Sequence, residues 1–400
     1  MLDLIKTGLS REMIEEISKQ NNEPKWLLER RLENFSVFES LHEPDFVYGL
    51  SISLDKSQLS LNEINPICNP EEKILGSAEN NGIIVKDLHQ ALKTHESIIR
   101  KYLLTLKPKN KFEALSCAFW SKGVFIYVPK GTEAKNPIEI ISKLKTQTNI
   151  ETFLIISEPW GKLNIIEGQE SIVNSKSYNI QNIEIFGKDS SGIEFGCIQN
   201  FPENTINFSF RKAVLEKDAS IDWTICDLGG LFTSSSATTN LIGPGASVNN
   251  TGIFLGKRNQ QFDFSMNAIH MAPNTTSDLL TKGALDDRSK GVYGGLVKIA
   301  PTATKSSGYQ KADIILLSHE AMAAPIPNLE IETNDVNRCA HGASVGQVDK
   351  EKLFYMMSRG LSEREAIKQV VQGLLEPAIE KIRIEKVQEN LRKLIEERLL

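Results

Sequence analysis

Nowhere in its 400 residues does this sequence hold an apolar run approaching the roughly 20 residues that span a bilayer. Its first residues, MLDLIKTGLSREM, lack the basic start and the apolar stretch of about 7 to 15 residues that mark a secretory leader. The expectation is a cytosolic chain with no membrane partner. Cysteine is scarce: Cys68, Cys117, Cys197, Cys226 and Cys339 are odd in number, far apart and without a CxxC pair. That usage excludes a disulfide framework and a structural zinc knot, and most of these thiols read as small buried hydrophobes. A positive field is missing too. Lysine and arginine total 46 against 51 acidic residues, a net charge of -5, so nucleic acid is not expected as a partner.

Motifs of common catalysis are also absent. GIFLGKR (252–258) ends like a phosphate loop, yet three residues separate its glycines and Arg258 stands where serine or threonine would hold magnesium. No G-x-S-x-G, H-E-x-x-H or G-x-G-x-x-G occurs. We expect no nucleotide site in this chain.

What is present is a change of period along the chain. Leu9, Met13, Ile14 and Ile17 recur at helical spacing, WLLERRLENFSVFESL (26–41) continues the pattern after Pro24, and VKDLHQALKTHESIIRKYLLTL (85–106) restores it. Between about 43 and 80 no period is sustained, which predicts loop or irregular connection. Residues 1–111 are thus expected to form a helical region with a long excursion. From about 112 the chain turns to short runs such as GVFIYVPKG, TFLIIS, NIEIFG, GIEFGCIQN and NTINFSFRK, rich in β-branched and aromatic residues and bounded by turn formers. More than 200 residues continue so. Stacked short strands extend one core over that length with few exposed edges, so residues 112–348 are read as a β-helix core, with a large β-sandwich as the alternative.

Residues 349–400 return to helix. Asp349 is placed to cap EKLFYMMS, Gly360 to end that helix, Ser362 and Glu365 to form a capping box, and Pro377 to open a third helix reaching Leu399. Ala366, Ile367, Val370, Val371, Leu374 and Leu375 make an apolar stripe that either packs on the chain itself or takes a partner.

The sharpest chemical feature is NRCAHGASVG (337–346). On a strand, Cys339 and His341 share a face, so thiolate sulfur and imidazole nitrogen could approach one iron or zinc. Two ligands hold a metal weakly; further ligands would come from elsewhere, another subunit included. The plainer alternative is that Cys339 fills core and His341 bonds a carbonyl. His270, Lys282, His319 and Glu320 are secondary candidates, each read first as a structural hydrogen-bonder. A solenoid also admits a carbohydrate-active enzyme, but Asp286 and Asp287 are adjacent in sequence and on a strand would point to opposite faces.

Several long stretches resemble the SufB/SufD family of iron–sulfur cluster assembly proteins: NLEIETNDVNRCAHGASVGQVDKEKLFYMMSRGLSEREAIKQVVQGLLEPAIEKI (328–382), HMAPNTTSDLLTKGALDDRSKGVYGGLVKI (270–299), GVFIYVPKG (123–131) and GLSREMIEEISKQNNEPKWLLERRLENF (8–35). The Cys-x-His-Gly form is similar to SufD, and the loop 318–328 lacks the cysteine typical of SufB, whereas the N-terminal stretch is also like SufB. The resemblance implies a mainly β protein, a right-handed parallel β-helix between helical regions. It further implies a non-catalytic scaffold subunit paired with a SufB-type paralogue or with itself, and C-terminal helices that dock the ABC-type ATPase SufC, where ATP hydrolysis would reside. Phe354, Tyr355 and Met356, with Ala366, Ile367, Val370, Val371 and Leu374, become candidate docking residues. Cys339 and His341 become candidate ligands, as a low-pKa thiolate beside a histidine, for transient iron or a nascent cluster at a subunit interface. A flavin, which the family raises for the assembled complex, has no motif here.

Overall fold

The computed structural model describes residues 8–48, 52–66 and 82–398; Cys68 and Leu399 lie outside them. The N-terminal region contains α1 (Arg11–Gln20), α2 (Lys25–Ser40), a hairpin of β1 (Val47–Tyr48) and β2 (Ile52–Ser53), β3 (Ile84–Asp87), α3 (Leu88–Tyr102) and α4 (Lys111–Phe119). The first, third and fourth helices start on side-chain caps, from Ser10, Asp87 and Asn110 respectively. α4 has no counterpart in the sequence periodicity. Every residue from Phe112 to Phe119 is buried, so the helix carries no polar face from which a period could be read.

Two parallel sheets follow, built by alternate strands. One takes β4 (Lys122–Val128), β6 (Thr148–Ser157), β8 (Ser177–Gly187), β10 (Thr205–Leu215), β12 (Phe232–Leu241), β14 (Gln261–His270), β16 (Lys290–Ile299) and β18 (Met322–Ile331). The other takes β5 (Ile138–Leu144), β7 (Lys162–Ser171), β9 (Gly192–Gln199), β11 (Ser220–Asp227), β13 (Ser247–Gly256), β15 (Thr276–Leu285), β17 (Ser306–Leu316) and β19 (Val336–Gln347). The result is a parallel β-solenoid of about 8 turns flanked by helices at both chain ends. The sandwich alternative is excluded. Antiparallel β3 pairs with β4 and covers one end of the first sheet.

Side chains alternate between the lumen and the two outer faces. The lumen holds one apolar cluster, including Phe153, Ile183, Phe195, Trp223 and Phe264. A second lies between the outer face of the even-numbered sheet and the N-terminal helices. The third lies between the odd-numbered sheet and α6 (Glu363–Ile379) and α7 (Glu385–Arg398), which follow α5 (Lys350–Ser358). Because both faces are covered, β6 and β8 are buried at every position, and the alternation of polar and apolar residues disappears from their sequences. The contact with α7 is close: a Cβ on Gly196 would stand 2.9 Å from a Val387 methyl.

The repeat lies in backbone conformation. Gly131, Trp160, Ser190, Asp218, Gly245, Asn274 and Lys305 all have positive φ, at spacings of 27 to 31 residues. Each donates its N–H to the residue one turn on: Gly131 to Pro159, Trp160 to Asp189, Ser190 to Lys217, Asp218 to Pro244, Gly245 to Pro273, Asn274 to Thr304 and Lys305 to Asp335. The acceptor immediately precedes the next left-handed residue in every case but the last. This corner ladder fixes rung height without fixing residue type.

The described part of the excursion after α2, mostly without regular structure apart from the β1–β2 hairpin, is laid on the solenoid as a strap. Phe46 packs edge-on against Phe232, with centroids 4.8 Å apart. Gln261 exchanges amide hydrogen bonds with the backbone of Asp55, Lys290 donates to the Ser53 carbonyl at 3.0 Å, and β2 lies against β18. The chain then returns, with Tyr178 bonding Gln58, Ser60 and Glu63, and Asn65 N donating to Thr148 at 3.2 Å.

At the other end, Asp349 caps α5, Gly360 has φ 97°, and Ser362 and Glu365 form the capping box of α6. Pro377 sits inside α6, near its end, not at the start of a third helix; α7 begins at Glu385. The turn between them and the start of α7 are clipped to the solenoid by Lys381 to Asp278 (2.9 Å), Arg383 to Asp222 (2.8 Å) and Lys386 to Glu139 (2.6 Å).

Candidate functional site

Cys339 and His341 lie on β19, which among the described residues pairs with β17 alone, as β18 pairs with β16 alone. Both final strands therefore leave one edge unpaired and frame an open end of the lumen. An irregularity at Asn337 sets the phase: Val336 opposes Ser306 while Arg338 opposes Ser307, so one residue is extra. Strict alternation from Val336 would turn Cys339 outward. The bulge instead sets Cys339 opposite Gly308 and His341 opposite Gln310. Cys339 is half-buried and packs on the lumen core, and a Cβ at Gly308 would stand 3.7 Å from its sulfur. His341, on the same face, is exposed because no further rung covers it.

The electrostatics of the thiol differ from expectation. Burial pushes the Cys339 thiol up, not down, since no cation or helix N-terminus favours its thiolate. The low-pKa thiolate is therefore corrected for the free chain. Among the described residues no group of three or more His, Cys, Asp or Glu side chains is arranged to hold a metal ion. The facing strand supplies Pro325 and Pro327 opposite Tyr293 and Gly295, neither a ligand.

The secondary candidates have structural partners. His270 is buried between the hydroxyls of Thr275 (2.8 Å) and Ser277 (2.9 Å), and burial lowers its pKa to about 4. Lys282 pairs with Asp313 at 2.5 Å. His319 Nδ1 meets the Gln347 amide at 3.0 Å, and Glu320 is exposed. Asp286 and Asp287 occupy a corner, where Asp287 accepts the Arg258 N–H at 2.8 Å. That places Arg258 in a solenoid turn, with its guanidinium on Glu203. The candidate docking residues divide. Phe354 and Tyr355 are 74% and 59% exposed, and Met356 is half-buried. Ala366 and Val371 are covered by the chain itself, whereas Ile367, Val370 and Leu374 are half-buried.

Profiles of known families agree with this architecture. One described as "SUF system FeS cluster assembly, SufBD core domain" matches residues 140–374, and one described as "SufBD protein N-terminal region" matches residues 69–140. The chain belongs to the SufBD family. It is 30% identical to the iron-sulfur cluster assembly protein SufB of Bacillus subtilis (strain 168), over 94% of this chain and 90% of that protein. It is 28% identical, over the same shares, to iron-sulfur cluster assembly SufBD family proteins of Staphylococcus saprophyticus and Staphylococcus epidermidis.

One polar group inside this SufBD solenoid escaped the sequence reading. Arg211, fully enclosed, donates to Cys197 Sγ at 3.3 Å and to Ser235 at 3.0 Å, with the carboxylates of Glu167 and Asp227 close by. Gln181 donates to Glu151 at 2.8 Å and also to Glu167. Burial raises Asp227 to about 6 and, with the charge of Glu167, Glu151 to about 7. The signal was present: in NIIEGQE, EFGCIQN, SFRKA and WTICD, residues of lumen phase are polar in strands otherwise of core composition.

Proposed function

We propose that this chain is a SufD-like, non-catalytic scaffold subunit in the cytosolic assembly of iron–sulfur clusters, and that iron or a nascent cluster is its cargo at the open end of the solenoid. The observation that carries this reading is the pairing of Cys339 and His341 on the lumen face of an edge strand. Two soft donors at an uncovered mouth are an incomplete ligand set. A second solenoid, a SufB-type paralogue or a copy of this chain, would supply the remainder and cover both open edges. Desolvated cations or a metal brought by that partner would lower the Cys339 pKa to where a thiolate binds.

The exposed Phe354 and Tyr355 on α5 support docking of a SufC-type ATPase on the C-terminal helical region, 349–400. ATP-driven closure of that partner would then bias the subunit interface between two arrangements through its different affinity for each. A SufB-type role is the second reading, favoured by the 30% identity to a protein of that name. Against it stand the Cys-x-His-Gly form and a 318–328 loop without cysteine.

The test is to coexpress the chain with the SufC-type and SufB-type proteins of its organism, purify anaerobically, and compare wild type with Cys339→Ser and His341→Ala. We expect the same complex mass for all three and iron–sulfur absorbance in the wild type alone. Equal absorbance in the variants would remove the ligand role, and failure of the wild type to form a complex would remove the subunit assignment.

A further inference from the structure

The strap raises a question that cluster chemistry does not answer: why an N-terminal segment runs the length of the solenoid. Many of its contacts fall on the first or second residue of even-numbered strands. They are Thr148 on β6, Tyr178 on β8, Phe232 on β12, Gln261 on β14 and Lys290 on β16. The strap thus laces one corner of the solenoid along its axis, adding a tie across rungs already joined by sheet hydrogen bonds and lumen packing. Its far end is the β1–β2 hairpin, held by antiparallel pairs Val47 to Ser53 and Tyr48 to Ile52.

Two anchors seat the hairpin on the last rungs. Ile52 and Leu54 are buried, in one apolar cluster with Phe46, Phe232 and Val292, and Ala324 and Ile326 of β18 pack against that cluster. The Tyr48 hydroxyl hydrogen-bonds Asp263, which also accepts from Ser234 at 2.8 Å. An edge strand paired on one side only is the least protected element of a sheet. β18 is such a strand, and the hairpin lies over its outer face at the end that the proposed partner must cover. Val47, 55% exposed on the hairpin, and Met322, 40% exposed at the start of β18, leave apolar surface at this rim.

We propose that the β1–β2 hairpin is a clamp on the docking end: it holds β18 in register so that a second β-solenoid can close on the open end, and it forms one rim of that interface. The proposal rests on the reading that the open end is a subunit interface. The second solenoid is the occupant because the hairpin is continuous with two unpaired strand edges, whose backbone groups a facing strand pair matches along their length.

The hairpin can be removed without severing the strap. The Leu54 N–H already donates to the Phe46 carbonyl at 3.0 Å, so replacing residues 47–53 by Gly-Gly closes the gap. Hydrogen exchange by mass spectrometry on the free full chain, wild type against this variant, is expected to show exchange at least tenfold faster in 322–331 and unchanged in 177–187. Affinity for the SufB-type chain, or for itself, is expected to fall at least tenfold. Unchanged exchange in 322–331, or unchanged affinity, overturns the proposal. A wild-type chain that associates with neither partner defeats the interface reading and the rim with it, while the exchange comparison still decides the clamp.

Discussion

The Arg211 guanidinium lies 3.3 Å from the Cys197 sulfur, and both side chains are sealed inside the solenoid between its two sheets. The sulfur is one acceptor among several, and the charges of Glu167 and Asp227 favour the guanidinium, while burial pushes the Asp227 carboxyl up to about 6 against the pull of Arg211. Cation, thiol and carboxylates share one enclosed polar layer.

Arg211→Met keeps the volume and removes that charge. We expect a loss of about 3–5 kcal/mol of stability at pH 7, the range for stranding buried charges. The loss should be smaller at pH 5, where Asp227 can take up a proton. Urea unfolding at both pH values checks this, and an equal loss at the two would refute it.

The described thiols should separate by accessibility. Cys117, Cys197 and Cys226 are buried with raised pKa, and Cys339 is half-buried with a raised pKa. Alkylation of the native chain, mapped by peptide mass, is expected to reach Cys339 first among these four, with a rate still climbing above pH 9 as the thiolate forms. Labelling of Cys197 at a comparable rate in the folded protein would contradict the enclosed lumen.

Acid should weaken the fold in two windows. His270 is held neutral with its pKa lowered from 6.5 to about 4, so its share of stability is present above pH 6.5 and is lost as pH falls towards 4. Glu23 is buried, which by itself would raise its carboxyl. The Arg31 charge and the hydrogen bonds from His89 and Arg31 outweigh burial and hold it at about 2. Its share, on the order of 3 kcal/mol, is present above pH 4.5 and fades as pH falls towards 2. Thermal melts should show the first window disappear in His270→Gln and the second in Glu23→Gln.

Two corner residues offer opposite substitutions. Trp160 adopts φ 59° and is 56% exposed, and Gly131 adopts φ 66° with open space where a Cβ would stand. Trp160→Gly should raise stability by about 1 kcal/mol as left-handed strain is relieved, less the contact of Lys130 with the ring. Gly131→Ala should lower it by about 1 kcal/mol. Calorimetry that gives both the same sign would show that the corner is not strained.

The solenoid and the helical ends were legible because strand composition and helix caps act locally: Ser10, Asp349, Ser362 and Gly360 do what their residue types predict. The rung period was not, because its marker is a backbone angle that Trp160, Ser190 and Lys305 share with Gly131 and Gly245. The strap was hidden for a related reason. Its order comes from Tyr178, Gln261 and Lys290, more than 100 residues away in sequence, and no local pattern announces such partners. At the site, alternation put Cys339 and His341 on one face, but the extra residue at Asn337 decides which face that is, and only pairing with β17 reveals it. The polar lumen was missed because Glu167 and Asp227 look like ordinary solvent-facing charges until the second sheet closes over them.

Lys381 and Arg383 of the α6–α7 turn and Lys386 at the start of α7 reach carboxylates on β15, β11 and β5. A pull on α5 or α6 would therefore load several rungs at once, sideways to their hydrogen bonds, in shear and not in peel. Bonds loaded together in shear share the force, whereas bonds peeled from one end fail one at a time. The C-terminal helices are mounted as a handle that can move the solenoid as one stiff body without unzipping the strand to which it is attached.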